Sequence, residues 1–206
     1  MTNVLITQII KIRNMANQSL TPIYLVPFEY IESSLLNYLV NELNEFFRVN
    51  IVIENKQPLP PASYNQYRNQ YRATAFLQAL QNLHKQEKTV GICNVDIYAS
   101  NLDFVFSIAE PSAQVAIVSL TRLRPIYYKM YQDEGVFWMR VLKEIFHALG
   151  RIYGLEHCYR QECVMSGSSS IMDIDIKSDR FCGDCRRLIR AAIEKENPIT
   201  DEKKNS

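Results

Sequence analysis

Four of the five cysteines crowd into one short part of the 206-residue chain. Cys158 and Cys163 are separated by four residues, and a Cys182-x-x-Cys185 pair follows after eighteen more. Two short-spaced pairs of thiolates supply the tetrahedral ligand set that zinc prefers, and Gly183 is expected to let the second pair turn sharply. Because thiolates would fill all four positions, the pattern predicts one structural Zn²⁺. The alternatives are four unrelated buried thiols or a redox pair at Cys182 and Cys185.

Two of the three histidines lie at the ends of a second motif, which directly precedes Cys158, the first cysteine of this cluster. The sequence His147-Ala-Leu-Gly-Arg-Ile-Tyr-Gly-Leu-Glu-His157 can be compared with the zinc-binding pattern H-E-x-x-H-x-x-G-x-x-H. In this frame the outer histidines fall on His147 and His157, and the glycine falls on Gly154. Ala148 stands at the glutamate position, and Arg151 stands at the second histidine position.

A frame shifted by four residues keeps a glutamate, Glu144, with the histidine and glycine that follow it. That frame places Lys143 and Tyr153 where the outer histidines belong, and it leaves His157 unused. The first frame ends on Cys158 and is therefore preferred.

The two substitutions remove parts that metal-assisted hydrolysis needs. Ala148 cannot accept a proton, and loss of a general base costs about 10² to 10⁴ in rate. Arg151 stays protonated and has no lone pair to donate. At ~4 Å from a divalent ion, its charge would be repelled by about 8 kcal/mol at an effective dielectric of 20. Since His147 and His157 alone bind zinc more weakly than three histidines, we expect no catalytic Zn²⁺.

The Arg151 head group is expected to fill the vacated metal position, hydrogen-bonded to a carboxylate such as Glu144 or Glu156. Glu144 also lies one helical turn before Ala148 and is the only nearby candidate for a substitute base or ligand. Helical geometry places it several ångströms from the required position.

The combined motif runs His-x6-Gly-x2-His-Cys-x4-Cys-x-Met from His147 to Met165 and is followed by Phe-Cys-x-x-Cys. It resembles the archaemetzincin family of zinc metallopeptidases, peptidase family M54. The resemblance covers about residues 23–190, with further similar segments at 90–98, 102–106, 115–124 and 140–144. It implies a compact metzincin-like α/β fold, a four-cysteine structural zinc and a catalytic zinc held by three histidines. It also implies a methionine-containing turn beneath the active site, for which Met165 is the best match.

Hydrophobic periodicity places these motifs on a framework of alternating elements. Strands are predicted at 23–26, 49–53, 89–97, 104–108 and 114–119, and helices at 31–47, around Phe76 to Leu83, and from about Gly135 to Leu149. The tyrosine-rich segment 55–71 is predicted to be a loop or hairpin. Since several later strands follow one another directly, we expect a mixed twisted sheet flanked by helices. Residues 1–194 are interpreted as one domain with a C-terminal four-cysteine zinc site, and residues 195–206 as a polar, frayed tail.

Two further residues have structural interpretations. Cys93 stands alone in an apolar run and is predicted to be a small buried hydrophobe. His84 follows the second predicted helix in a polar stretch and is predicted to be a solvated surface residue.

Composition limits the class of partner and the compartment. Apolar residues make up 47% of the chain, enough for a sizeable core, and the net charge of +1 predicts no nucleic-acid partner. The sequence has no run of ~20 apolar residues and no signal-peptide pattern in residues 1–13, so no membrane association is expected. Clustered thiols are more often metal ligands than disulfides in a reducing compartment, which predicts a cytoplasmic protein.

The leading functional hypothesis is therefore an archaemetzincin-like zinc protein without peptidase activity. Its former active-site cleft is expected to receive a peptide or protein ligand by strand addition, with Arg151 facing an acidic group. The alternative is an active zinc aminopeptidase or endopeptidase with an unusual ligand set. A zinc-ribbon nucleic-acid binder fits the cysteines but lacks an evident basic surface.

Overall fold

A computed structural model describes residues 21–197, so the predictions for residues 1–13 and for most of the polar tail lie outside the described residues. Within these residues, apart from three short 3-10 helices, five α-helices and eight strands follow in chain order: β1 (Ile23–Phe28), α1 (Ser33–Phe47), β2 (Ile51–Ile53), β3 (Tyr64–Asn65), β4 (Gln70–Arg72), α2 (Ala73–Leu83), β5 (Lys88–Cys93), β6 (Ile97–Tyr98), β7 (Ser107–Glu110), β8 (Val115–Ser119), α3 (Glu134–Ile152), α4 (Ile171–Ile176) and α5 (Gly183–Glu196). No helix within the described range combines the length and apolar character that a membrane crossing requires.

The central sheet has five strands in the order β2-β1-β5-β8-β7. The first four strands are parallel, and β7 pairs antiparallel with β8 at one edge. Strands β5 and β8 are buried along their whole length, as expected for parallel strands covered by helices on both faces. The mixed sheet flanked by helices that the sequence predicts is therefore confirmed.

Two apolar layers hold the helices on the sheet. The larger layer joins α1 and α3 to one face, and the smaller one joins α2 to the other face. In α1 the buried residues recur every three or four positions, which turns one apolar stripe towards the sheet: Leu35, Leu36, Leu39, Leu43 and Phe47. This packing fixes α3, the helix that carries His147, across the middle of the larger layer.

The tyrosine-rich segment forms a hairpin, which was one of the two predicted possibilities. Strands β3 and β4 pair antiparallel, and β4 pairs parallel with β6. The rings of Tyr64 and Tyr71 lie 5.0 Å apart across the hairpin, and Tyr71 also packs against Phe76 of α2. Cross-strand aromatic pairs of this kind stabilise a short ribbon that polar residues alone would not hold.

One surface prediction was wrong. His84 is mostly buried, with its ring stacked on Tyr24 at 4.0 Å and a carboxylate on each side, Glu87 at 3.1 Å and Glu54 at 3.5 Å. The polar neighbours in sequence gave no sign that β1 would supply an aromatic ring. Cys93, by contrast, is fully buried as predicted.

The C-terminal helix extends past the predicted domain boundary at residue 194. Helix α5 continues to Glu196, and Asn197 accepts a hydrogen bond from the backbone of Thr21 at 2.9 Å. The side chain of Lys88, at the start of β5, pairs with Glu196 and lies over the ring of Tyr153. The end of α5 is thereby attached to the sheet.

Candidate metal centre

The four cysteines of the motif form one cluster. Their Sγ atoms all lie within 4.8 Å of one another, and within residues 21–197 no other group of three or more His, Cys, Asp or Glu donors is as compact. The Sγ atoms of Cys158 and Cys182 are 3.8 Å apart. A tetrahedral zinc with Zn–S bonds of ~2.3 Å requires sulfur–sulfur distances of about 3.8 Å. The donor set therefore fits zinc in both chemistry and spacing.

Two local structures present these sulfurs. Cys163 lies in a tight turn, in which its N–H donates to Arg160 O and its carbonyl accepts from Ser166 N. Cys182 is the N-cap residue of α5, and Cys185 lies in the first turn of that helix. The positive end of a helix dipole favours thiolates at this position.

The expected role of Gly183 was wrong. Gly183 is the first residue of α5, and Gly154 is the only glycine with a positive φ among the described residues. The start of the helix, not a glycine-specific turn, brings Cys182 and Cys185 together.

The protonation of the cluster also suits a cation. Burial opposes ionisation of Cys182, but hydrogen bonds from the backbone N–H of Cys185 and from the neighbouring thiols lower its pKa to about 7. Burial raises the pKa of Cys163 and of Cys185. Without a cation, the cluster thus favours one thiolate held by thiols. A bound divalent metal ionises the remaining thiols, because the thiolate is the ligand form.

Helix α3 ends just before a glycine, Gly154, after which the chain turns towards the cysteine cluster. Gly154 has φ +85°, the Leu155 N–H donates to Gly150 O, and the Gly154 N–H donates to Arg151 O. These two bonds form a Schellman motif, in which the left-handed residue is most often glycine. The chain therefore leaves α3 at Gly154 and doubles back, which brings His157 beside His147.

The two histidines of the preferred frame lie side by side. Their ring centroids are 5.2 Å apart, and His147 Nδ1 donates to Val164 O at 3.0 Å, which leaves Nε2 without a proton. Burial, opposed in part by the charge of Glu144, lowers the pKa of His147 to about 4. Burial and the nearby Arg151 charge also lower the pKa of His157. Both rings are therefore neutral at neutral pH.

Arg151 is bound to the segment that carries His157. Its Nη1 donates to Leu155 O at 2.7 Å and to the carboxylate of Glu156 at 2.5 Å. Of the two carboxylates considered from the sequence, Glu156 is therefore the partner and Glu144 is not. Ala148 is buried in the larger apolar layer and adds no polar atom.

Glu144 belongs to a buried network on the other side of His147. Its two carboxylate oxygens accept from Lys177 Nζ at 2.8 Å and from Ser107 Oγ at 2.7 Å. Burial alone would raise the pKa of Glu144, but the charge of Lys177 and these hydrogen bonds outweigh it and lower the pKa. Its neighbour Lys143 donates to the carbonyls of residues 174 and 175. Lys143 therefore points towards α4, and both carboxylate oxygens of Glu144 are taken up by Lys177 and Ser107.

The turn at Met165 is in contact with His147 through its peptide groups. The carbonyls of Val164, Met165 and Ser166 accept in turn from His147 Nδ1, Cys158 N and Lys177 Nζ. Three different segments thus hold three successive peptide groups. The Met165 side chain is fully buried and packs against α3 at Gly150.

Sequence reasoning missed Lys177 and Ser107. Neither belongs to a spaced motif, and both are joined to Glu144 only through tertiary contacts across more than thirty residues. The one sequence signal was a lysine directly after the apolar residues of α4, which is uninformative by itself.

The fold and the site together indicate the class of protein. A helix carrying a histidine, a glycine-ended turn to a second histidine, a methionine turn below them and a mixed sheet with an antiparallel edge strand are the framework of a metzincin-type metallopeptidase. The four thiols fit a tetrahedral zinc ion.

Comparison with known proteins gives the family. The model of peptidase family M54 matches residues 15–191. The archaemetzincin of Pyrococcus furiosus is 40% identical over 179 residues, which cover 83% of this chain and 93% of that protein. The archaemetzincin of Methanocaldococcus jannaschii is 36% identical over 164 residues, which cover 80% and 90%. This chain belongs to the archaemetzincin family.

Solved structures agree with that assignment. The crystal structure of archaemetzincin from Methanopyrus kandleri has a TM-score of 0.77 at 32% identity and covers 86% of this chain and 97% of its own. The Archaeoglobus fulgidus archaemetzincin, solved in complex with malonate, has a TM-score of 0.72 at 32% identity, with 81% and 99% covered.

Proposed function

We propose that this protein is a catalytically inactive archaemetzincin that holds one structural zinc ion through Cys158, Cys163, Cys182 and Cys185. The observation that carries the proposal is the position of Arg151. Arg151 carries a permanent positive charge one helical turn after His147. Its hydrogen bonds to Leu155 and Glu156 hold this charge near His157, whose pKa it lowers. A divalent ion there would meet two neutral imidazoles and a repelling charge.

The substitute base considered from the sequence is also unsuited to the role. A general base needs a free oxygen within hydrogen-bond reach of the attacking water. Both oxygens of Glu144 are already bonded, one to Lys177 and one to Ser107, and the residue is almost fully buried. Its lowered pKa makes it a poor proton acceptor as well.

We further propose that the former cleft receives an extended peptide or protein segment. Among the described strands, β7 is an edge strand with one side unpaired. Its first residue, Ser107, contacts Glu144 of α3, so the open edge runs beside the histidine pair. A peptide could add to this edge through main-chain hydrogen bonds and place an acidic group near Arg151. Isothermal titration with acidic peptides should give heat; its absence, with the protein folded, contradicts this part of the proposal.

The alternative is an active metallopeptidase that uses an unusual ligand set. The observation in its favour is the free Nε2 of His147, which burial keeps neutral and able to bind a cation. The cytoplasmic location predicted from the sequence is retained as part of the main proposal, since four reduced thiols are needed for the zinc site.

Zinc counting separates the two functions. Elemental analysis of the purified chain should give one zinc per molecule and no peptidase activity. The Arg151→His/Ala148→Glu double variant should bind a second zinc and gain peptide hydrolysis, because it completes the three-histidine set and the general base. Ala148→Glu alone is the matched control and should remain at one zinc. Two zinc ions in the unaltered chain would overturn the proposal, and one zinc in the double variant would show that the histidine frame is misassigned.

A further inference from the structure

A second cleft lies between α1 and α5, away from the histidine pair. Its volume is about 380 Å³, at the lower end of the range for small-molecule sites. None of its lining residues belongs to the site described above; Phe146, its only residue from α3, directly precedes His147. The proposed peptidase-like framework does not use this cleft.

The floor of the cleft is aromatic. Phe46 of α1 is partly exposed and stacks on Phe181 at 5.1 Å, and Phe146 meets both rings edge-on at 5.2 and 5.9 Å. Phe146 and Phe181 are buried, so the cluster is rigid. The partly exposed ring of Phe46, supported from behind by the two buried rings, offers an apolar surface on which a planar ring can pack.

Four arginines surround this floor. Arg186 and Arg190 are one turn apart on α5, Arg180 precedes that helix, and Arg48 follows the end of α1. Of these four arginines, only Arg180 takes part in an ion pair within residues 21–197, with its neighbour Asp179 at 3.8 Å, a carboxylate that also lines the cleft. Guanidinium groups arranged in this way are suited to bidentate binding of a phosphate.

The opposite wall of the cleft carries carboxylates, which limit the class of ligand that can bind. Glu42 and Glu45 are three residues apart on α1 and line the cleft across from the arginines of α5. These carboxylates repel a polyanion that lies along the whole cleft. They do suit hydroxyl or amino groups, and carboxylates commonly accept hydrogen bonds from ribose hydroxyls.

We propose that this cleft binds a mononucleotide. The base packs on the phenyl floor, the sugar hydroxyls or an exocyclic amino group face Glu42 and Glu45, and the phosphate meets Arg186 and Arg190. The three features are needed together. Inorganic phosphate would use only the arginines, a nucleoside would use only the floor and the acidic wall, and a nucleic acid would bring further phosphates against the glutamates.

The test is isothermal titration of the full-length, zinc-loaded protein with AMP. AMP should bind, and both adenosine and inorganic phosphate should bind at least about tenfold more weakly, since each lacks one set of contacts. No heat from AMP would overturn the proposal, as would equal affinity for inorganic phosphate. Tighter binding of a short single-stranded oligonucleotide than of AMP would assign the cleft to nucleic acid instead.

A matched pair of variants on α5 tests the location. Arg186→Ala should weaken AMP binding by about tenfold or more, the loss expected for a charge-assisted hydrogen bond. Arg187→Ala removes the adjacent arginine, which is 78% exposed, pairs with Asp184 and does not line the cleft, so it should leave the affinity unchanged. Equal effects of the two variants would place binding elsewhere. Thermal unfolding of both variants confirms that they are folded.

Discussion

At the scale of single residues, the buried ion pair of Lys177 and Glu144 carries a large desolvation cost. Both side chains are almost completely removed from solvent, at 0% and 3% exposed. Two buried charges are tolerated only when they are paired and their remaining hydrogen-bonding groups are satisfied. Ser107 and the Ser166 carbonyl meet that requirement. The pair thereby ties α3 to the turn below the histidines and takes the nearest carboxylate out of any chemistry.

Removing one partner should therefore be costly. Lys177→Met leaves the Glu144 carboxylate buried without its cation, and we expect the free energy of unfolding to fall by about 3–5 kcal/mol. Chemical denaturation of the zinc-loaded protein measures this loss.

The double variant Lys177→Met/Glu144→Leu should recover most of that loss, because a buried ion pair replaced by apolar side chains is often neutral. Arg187→Ala, which removes an exposed ion pair with Asp184, should cost less than about 1 kcal/mol. If Lys177→Met also lowered the free energy of unfolding by less than about 1 kcal/mol, the Lys177–Glu144 pair would be hydrated and the site would be open to water.

At the scale of elements, α3 depends on close contact with the turn that follows it. A Cβ built on Gly150 would lie 3.0 Å from the Cε methyl of Met165 and closer still to its sulfur. Met165 is fully buried, so it has little room to move away. The glycine is therefore needed for space, whereas Gly154, four residues on, is needed for its positive φ.

Gly150→Ala should destabilise the protein by about 1–3 kcal/mol through overpacking, even though alanine favours helices more than glycine does. Gly183→Ala in α5 is the matched control. Its added Cβ would meet nothing within 4 Å, and stability should be unchanged or slightly raised. Thermal unfolding compares the two variants, and a neutral Gly150→Ala would show that Met165 can repack.

At the scale of the whole molecule, the cysteine cluster joins distant parts of the chain. It connects the segment after α3 to the start of α5, and the far end of α5 is attached to β5 through Glu196 and Lys88. Outside the cluster, much of α5 is exposed, with Cys185 and Ile189 as its buried residues. The helix therefore has a small apolar contact of its own and relies on the metal site for its position.

Removal of zinc should accordingly loosen this end of the protein. We expect a strong chelator to lower the thermal midpoint and to reduce helical circular dichroism by about the content of α5, because structural zinc contributes directly to folding free energy.

Cys185→Ser should abolish this response to chelator, whereas Cys93→Ala, which removes a buried thiol outside the cluster, should retain it. A thermal midpoint that does not depend on chelator would contradict a structural role for the metal.

The sequence alone determined the features that depend on local pattern. Hydrophobic periodicity located α1, α2, α3 and most of the central sheet, but it did not predict α4 or α5, and it joined β5 and β6 into one strand. Cysteine spacing located the metal cluster, because the two ligands of each pair are close in sequence. The motif from His147 to Met165 was also readable, since the helix, its glycine end and the following turn are consecutive.

Only the tertiary structure decided the contacts between segments far apart in the chain. The pairing of Glu144 with Lys177 and Ser107, the stacking of His84 on Tyr24 and the cleft between α1 and α5 each join residues separated by more than thirty positions. Their local sequences carry no record of the partner, because burial and charge pairing depend on where the sheet brings the chain. The choice of Glu156 over Glu144 as the partner of Arg151 has a mixed origin: the turn at Gly154 brings Glu156 back to Arg151, whereas distant Lys177 and Ser107 hold Glu144 elsewhere.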